Sequence, residues 1–237
     1  MIRRDLSGEK NIYIFPCAGG CAANYSEYGL YLPETKVYEY KGHWSRFEEP
    51  FSVAMDDLVR DAADLIRCNE YPDGLLLFGH SMGGIVAWHL AAKLLEIGLD
   101  VKGIFIAACS PPTEKVRALD KIDSDEDIED FLIRVRQVPQ KVLRSDFFKE
   151  NLLPTIRNDF RILKDAISRK TKYHKIDCDI ICLGGREDSL IQMDLMYGWE
   201  NFTNGSLQVH EFPGNHFFVY ERNNIKKISR LIRQHSL

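Results

Sequence analysis

The chain has 237 residues and a mass of 27.3 kDa, enough for one complete hydrophobic core, so a single domain spanning 1–237 is expected. With 45% hydrophobic residues, 28% charged residues and a net charge of −4, it lacks the basic excess of a nucleic-acid binder, and a monomer is expected. Residues 1–10 are polar, without a signal-peptide core, and no apolar run approaches the ~18 residues of a membrane span, so a cytoplasmic protein with no membrane partner is expected.

In chain order, residues 11–16 read as a short apolar strand that ends in the turn Cys17-Ala18-Gly19-Gly20. Residues 35–40 form a second strand, followed by a loop to Pro50. Residues 53–69 carry a helical pattern with Leu58, Ala62, Leu65 and Ile66 on one face. From Leu75 a wholly apolar strand, Leu75-Leu76-Leu77-Phe78, runs straight into the small-residue turn that starts at Gly79, and 82–97 form a helix and 101–108 a further strand. This rhythm indicates a parallel α/β sheet covered on both faces. It breaks after Ser110-Pro111-Pro112. Residues 113–175 offer helices and no strand, one of them over 125–138 with Ser124 as N-cap and Pro139 beyond its end. The six carboxylates between Asp123 and Asp130 suit a solvated helix start matched to its dipole. Strands at 179–184 and 206–212 and a helix at 222–234 restore the rhythm, so 113–175 reads as an insertion covering the sheet.

Two pairs of the six cysteines share a C-x-x-x-C spacing, Cys17 with Cys21 and Cys178 with Cys182. Residues four apart in a strand are far separated along it, so buried reduced thiols are expected rather than a metal site.

The chemistry gathers at Gly79-His80-Ser81-Met82-Gly83, a G-x-S-x-G nucleophile elbow between a buried strand and a helix. A serine hydroxyl needs a base, and the base needs an orienting acid. In elbow enzymes these follow in the order Ser, acid, His, on loops after later strands. The strand at 179–184 runs into Gly185-Arg186-Glu187-Asp188, making Asp188 the leading acid with Glu187 its rival. The strand at 206–212 runs into Pro213-Gly214-Asn215-His216, making His216 the leading base among seven histidines. Two backbone N–H donors are needed for the oxyanion. Met82, directly after the nucleophile, supplies one, and Ala18 in the turn 17–20 the other. The glycines there let backbone approach substrate, which puts Cys17 and Gly19 among the candidate substrate-binding residues.

Together these motifs resemble the type II (external, editing) thioesterases of nonribosomal peptide and polyketide synthases. Phe15-Pro16-Cys17-Ala18-Gly19-Gly20 is similar to the family's F-P-x-A-G-G, Arg46-Phe47-Glu48-Glu49-Pro50 to its R-x-x-E-P, and Gly79–Gly84 to its G-H-S-M-G-G. Ser110-Pro111-Pro112 and Phe212-Pro213-Gly214-Asn215-His216-Phe217-Phe218 are similar to its S-x-x-P-P and F-x-G-x-H-F-F. The resemblance implies an α/β-hydrolase fold with a helical lid at 113–175. It implies hydrolysis of acyl or aminoacyl thioesters from the phosphopantetheine arm of carrier proteins, with no separate cofactor. It also implies the roles already assigned to Ser81, Asp188, His216, Met82 and Ala18. Two departures stand out. Cys17 occupies a position that is often His, and Lys41-Gly42-His43-Trp44 replaces a Pro-Gly-x-Gly turn. If these positions line the acyl pocket, substrate preference differs here.

Residues 131–175 carry twelve Lys/Arg against four acids, a local +8 in a chain of net −4. Such asymmetry suits either a solvated face or the steering of an acidic carrier protein. Elbow, triad and turn do not by themselves separate thioesters from oxygen esters, so a carboxylesterase or lipase stays open, as does an acyltransferase.

Overall fold

The computed structural model describes residues 11–69, 71, 74–114, 122–135, 138–168 and 175–235. Six strands form one sheet in the order β2-β1-β3-β4-β5-β6, every neighbouring pair parallel. They are β1 (Asn11–Phe15), β2 (Thr35–Val37), β3 (Leu75–His80), β4 (Val101–Ala107), β5 (Asp179–Gly185) and β6 (Leu207–Phe212). The α-helices are α1 (Met55–Arg67), α2 (Met82–Glu96), α3 (Asp125–Val135), α4 (Gln140–Leu143), α5 (Leu153–Ser168), α6 (Met193–Met196) and α7 (Arg222–His235).

Side chains alternate across a strand, and here both faces are buried. Tyr13, Phe15, Leu75, Leu77, Ile104, Ile106, Ile180 and Cys182 join one core, against α1 and α2. Ile12, Ile14, Leu76, Phe78, Phe105, Ala107, Ile181 and Leu183 join the other, against α7 and the 3₁₀ segment Ala22–Leu30. Central strands buried on both faces must read as unbroken apolar runs, which is why Leu75-Leu76-Leu77-Phe78 shows no polar residue.

Two expected elements differ in detail. The second strand stops at Val37 because Tyr38 and Tyr40 turn into the core, where Tyr40 Oη donates to the Pro16 carbonyl at 2.9 Å. In α1 the buried face is Met55, Leu58, Val59, Ala62, Ala63 and Ile66, and Leu65 is 48% exposed. The face is therefore rotated from the expected one towards the small Ala63.

Residues 122–135 and 138–168 of the insertion hold helices joined by short irregular segments, and no strand. Ser124 and Asp127 cap α3 reciprocally. The Asp127 N–H donates to Ser124 Oγ at 3.2 Å and the Ser124 N–H to Asp127 Oδ2 at 2.9 Å. α3 ends at Val135, before the expected 138; residues 136–137 lie outside the described set. A π-helical turn, Phe148–Leu152, leads into α5. The insertion sits on the carboxyl ends of the strands, with Phe131 of α3 edge-to-face on Phe160 of α5 at 5.2 Å. Among the described residues no helix is long and apolar enough to cross a membrane.

Candidate active site

The carboxyl ends of four strands converge beneath the insertion. β1 delivers the turn at Cys17, β3 delivers Ser81, β5 delivers Asp188 and β6 delivers His216. Ser81 sits between strand and helix with φ 54° and ψ −118°, a strained conformation for a residue with a side chain. Its neighbours make that strain tenable. A Cβ at Gly79 would clash with the Gly83 carbonyl oxygen, and one at Gly83 with the Phe15 carbonyl oxygen. The Ser81 N–H donates to the Ala107 carbonyl at 2.8 Å, tying the elbow to β4.

His216 Nε2 lies 3.0 Å from Ser81 Oγ, and its Nδ1 lies 2.8 Å from Asp188 Oδ2. The other carboxylate oxygen, Oδ1, accepts the Leu190 N–H at 2.8 Å and the Ile191 N–H at 3.2 Å. Burial alone disfavours the ionised carboxylate. The His216 hydrogen bond and charge, with the two amides, outweigh it and hold the Asp188 carboxyl below its usual range. Glu187 instead accepts from the Gly214 N–H and braces the two loops without reaching the imidazole. The arrangement can move a proton from the serine hydroxyl to Nε2 while Asp188 fixes the Nδ1–H tautomer.

Behind His216 stands a second histidine. His80 Nε2–H donates to the His216 carbonyl at 2.9 Å, and its Nδ1 accepts from Tyr25 Oη at 3.0 Å. Complete burial, helped by the nearby His216, pushes His80 down to about 3 and keeps it neutral. In the sequence His80 is marked only by its place in the elbow, directly before Ser81.

A cavity of about 50 Å³ opens over Ser81, lined by Ala18, Met82, Cys17, Cys109 and His216 below and by Phe131, Phe160, Leu163 and Ile167 above. Burial pushes the Cys17 thiol up to about 11 and Cys109 up to about 12, so both stay protonated near neutral pH. Of the two positions where the chain departs from its expected relatives, Cys17 lines this cavity. Gly42, His43 and Trp44 line a neighbouring one of about 290 Å³, together with Gly19. The Gly19 N–H itself donates to Asp159 Oδ2 at 2.8 Å. Among the described residues no cluster of three or more His, Cys, Asp or Glu could hold a metal ion.

A family model described as "Thioesterase domain" matches residues 10–235. The chain belongs to the thioesterase-domain family. This thioesterase is 27% identical over 220 residues to Thioesterase TesA of Mycobacterium leprae, covering 91% of this chain and 83% of that protein. It is also 27% identical over 225 residues to the human medium-chain S-acyl fatty acid synthase thioesterase, covering 92% and 84%. Its fold is the α/β-hydrolase fold of solved thioesterases. ClbQ from the colibactin NRPS/PKS pathway superposes with a TM-score of 0.81 at 26% identity, covering 95% of each chain. The type II thioesterase BorB from the borrelidin cluster also gives 0.81 at 26% identity, covering 96% of this thioesterase and 93% of that chain.

Proposed function

We propose that this thioesterase removes aberrant or stalled acyl and aminoacyl groups from the phosphopantetheine arm of carrier proteins in nonribosomal peptide or polyketide biosynthesis. The observation that carries the reading is the hydrogen-bonded line Ser81–His216–Asp188 beneath an apolar cavity. The similarity to ClbQ and BorB supports the class of substrate.

Ser81 Oγ attacks the thioester carbonyl as its proton passes to His216 Nε2. Negative charge on the carbonyl oxygen meets the N–H of Met82, at the positive end of α2, and the N–H of Ala18. Collapse of the tetrahedral intermediate breaks the C–S bond, and Nε2–H protonates the departing pantetheine thiolate. A water, deprotonated by the same nitrogen, then cleaves the acyl-serine to free acid. The phosphopantetheine arm belongs to the substrate, so the cycle needs no cofactor. Phe131, Phe160, Leu163 and Ile167 act as the underside of a lid, keeping the acyl chain in apolar surroundings.

The test is side-by-side turnover of an acyl-phosphopantetheine thioester and its oxygen ester by the native enzyme and Ser81→Ala, with and without added amine. The expected result is thioester preference, free acid as product, and loss of both in the variant. Preference for the oxygen ester would make this a carboxylesterase, and amide product would make it an acyltransferase.

A further inference from the structure

Among the described residues two carboxylates are buried, Asp188 and Asp159. The mechanism uses the first and leaves the second unexplained. Asp159 lies on α5 of the insertion and is 1% exposed, a position that is costly for a carboxylate without partners. Its partners come from the core, more than a hundred residues earlier. Oδ2 accepts the Gly19 N–H at 2.8 Å and faces His43 Nε2 at 3.0 Å. His43 Nδ1 faces the Lys41 carbonyl at 3.2 Å, so both ring nitrogens look at acceptors and both must carry protons to satisfy them.

This contact reaches the turn that carries Ala18. The Cys17 N–H donates to Tyr25 Oη at 3.2 Å and the Gly20 N–H to the Cys17 carbonyl at 2.9 Å, both from the core side. Among the described residues the Gly19 N–H is held only by the insertion, through Asp159. The Ala18 N–H belongs to the Cys17–Ala18 peptide, whose carbonyl closes the turn onto the Gly20 N–H; the central Ala18–Gly19 peptide of that turn, with Gly19 at φ +69°, is the one whose N–H Asp159 holds, so Asp159 acts on the donor through the shape of the turn. Ile156, one turn before Asp159, packs so closely that a Cβ on Gly19 would sit 2.5 Å from its Cγ1. Asn158 and Arg161 fasten the same helix to the carbonyls of Ser52 and Val53 at 3.2 and 2.9 Å.

We propose that Asp159 is a positioning residue that shapes the oxyanion turn, so that the hole is complete only when α5 is seated on the core. This rests on the serine-hydrolase reading of Ser81. It gives the insertion a part in the chemistry besides walling the cavity: entry of a substrate that lifts α5 leaves the hole unformed until α5 returns.

The experiment compares native enzyme, Asp159→Ala and Asp159→Asn. Three quantities are read: kcat and KM on a small acyl-pantetheine thioester, and the rate at which a fluorophosphonate labels Ser81. Losing one hole donor outright costs about 10²–10³ in rate, so misplacing one is expected to lower kcat and labelling together by about 10–100-fold in the Ala variant, with KM within threefold. Asn keeps an oxygen for the Gly19 N–H and is expected to recover much of the loss. If the Ala variant does not fold, the Asn variant carries the test with an expected loss of about threefold to tenfold in both rates. Native-like kcat and labelling in a folded Ala variant, or in the Asn variant where Ala does not fold, would overturn the proposal, as would a loss confined to KM, which is the mark of a mere pocket wall. Failure of the native enzyme to be labelled would overturn the serine-hydrolase reading instead, and this inference with it.

Discussion

Replacing Asp188 by Asn separates the geometric from the electrostatic part of the site, because the structure dictates how the amide must sit. Oδ1 of Asp188 accepts two backbone N–H groups, from Leu190 and Ile191, at 2.8 and 3.2 Å. The Asn oxygen must take that place, since turning the NH2 towards those donors would leave them unsatisfied at about 1–3 kcal/mol each. The NH2 then faces His216 Nδ1, where Oδ2 now lies at 2.8 Å. An NH2 can only donate, so Nδ1 becomes the acceptor and the ring proton moves to Nε2. That nitrogen points at Ser81 Oγ, 3.0 Å away, and can no longer take its proton. The wrong tautomer costs about 10⁴ in kcat, or roughly 5.4 kcal/mol of barrier, with the fold and KM little changed. Steady-state hydrolysis of an acyl-pantetheine thioester near neutral pH, with a thermal melt as control, reads this directly. Activity within tenfold of native would refute the reasoning, and so would a larger loss in Glu187→Gln than in Asp188→Asn.

Other perturbations reach different parts of the molecule. His80 is held neutral at about 3 by burial, whereas an unfolded histidine titrates near 6.5. Its contribution to stability is therefore full above about pH 6.5 and is lost on acidification towards 3, at up to about 1.4 kcal/mol per pH unit. Urea unfolding at stepped pH should show that slope, reduced in His80→Gln; an unchanged slope would remove His80 as its source. Gly19→Ala places a side chain at φ +69°, which costs about 1–2 kcal/mol, and drives it against Ile156. A lower melting temperature and a kcat reduced at least tenfold are expected, with the melting loss partly relieved by adding Ile156→Ala. Reversing the exposed Lys141, Arg144 and Lys149 to Glu should raise KM several-fold for an acyl-carrier protein and spare a small acyl thioester. Equal loss on both substrates would argue against steering by the insertion.

The parallel sheet was legible because its central strands are buried on both faces and advertise it, as Leu75-Leu76-Leu77-Phe78 does. The elbow was legible because backbone crowding at Gly79 and Gly83 admits no other residue. Asp188 and His216 followed from chain order and from their place after strands. Asp159 had no such mark. In sequence it is one of two acids beside Arg157, Arg161 and Lys164 on an amphipathic helix, and its burial arises only when α5 docks on residues 19 and 43. The rotation of α1 was hidden for a related reason: alanine at 62 and 63 permits either face to turn inward, and packing against α2 chose between them.

The contact of Gly83 with the Phe15 carbonyl has a consequence for how this enzyme can change. The two amides proposed to receive the oxyanion sit on separate segments, one after β1 and one at the start of α2, and their separation is set where those main chains touch. Main-chain spacing cannot be tuned in small steps by exchanging side chains. New substrates must therefore be accommodated by the cavity-facing side chains of α3 and α5, while the floor, and the grip of Asp159 on it, stay the same from one acyl group to the next.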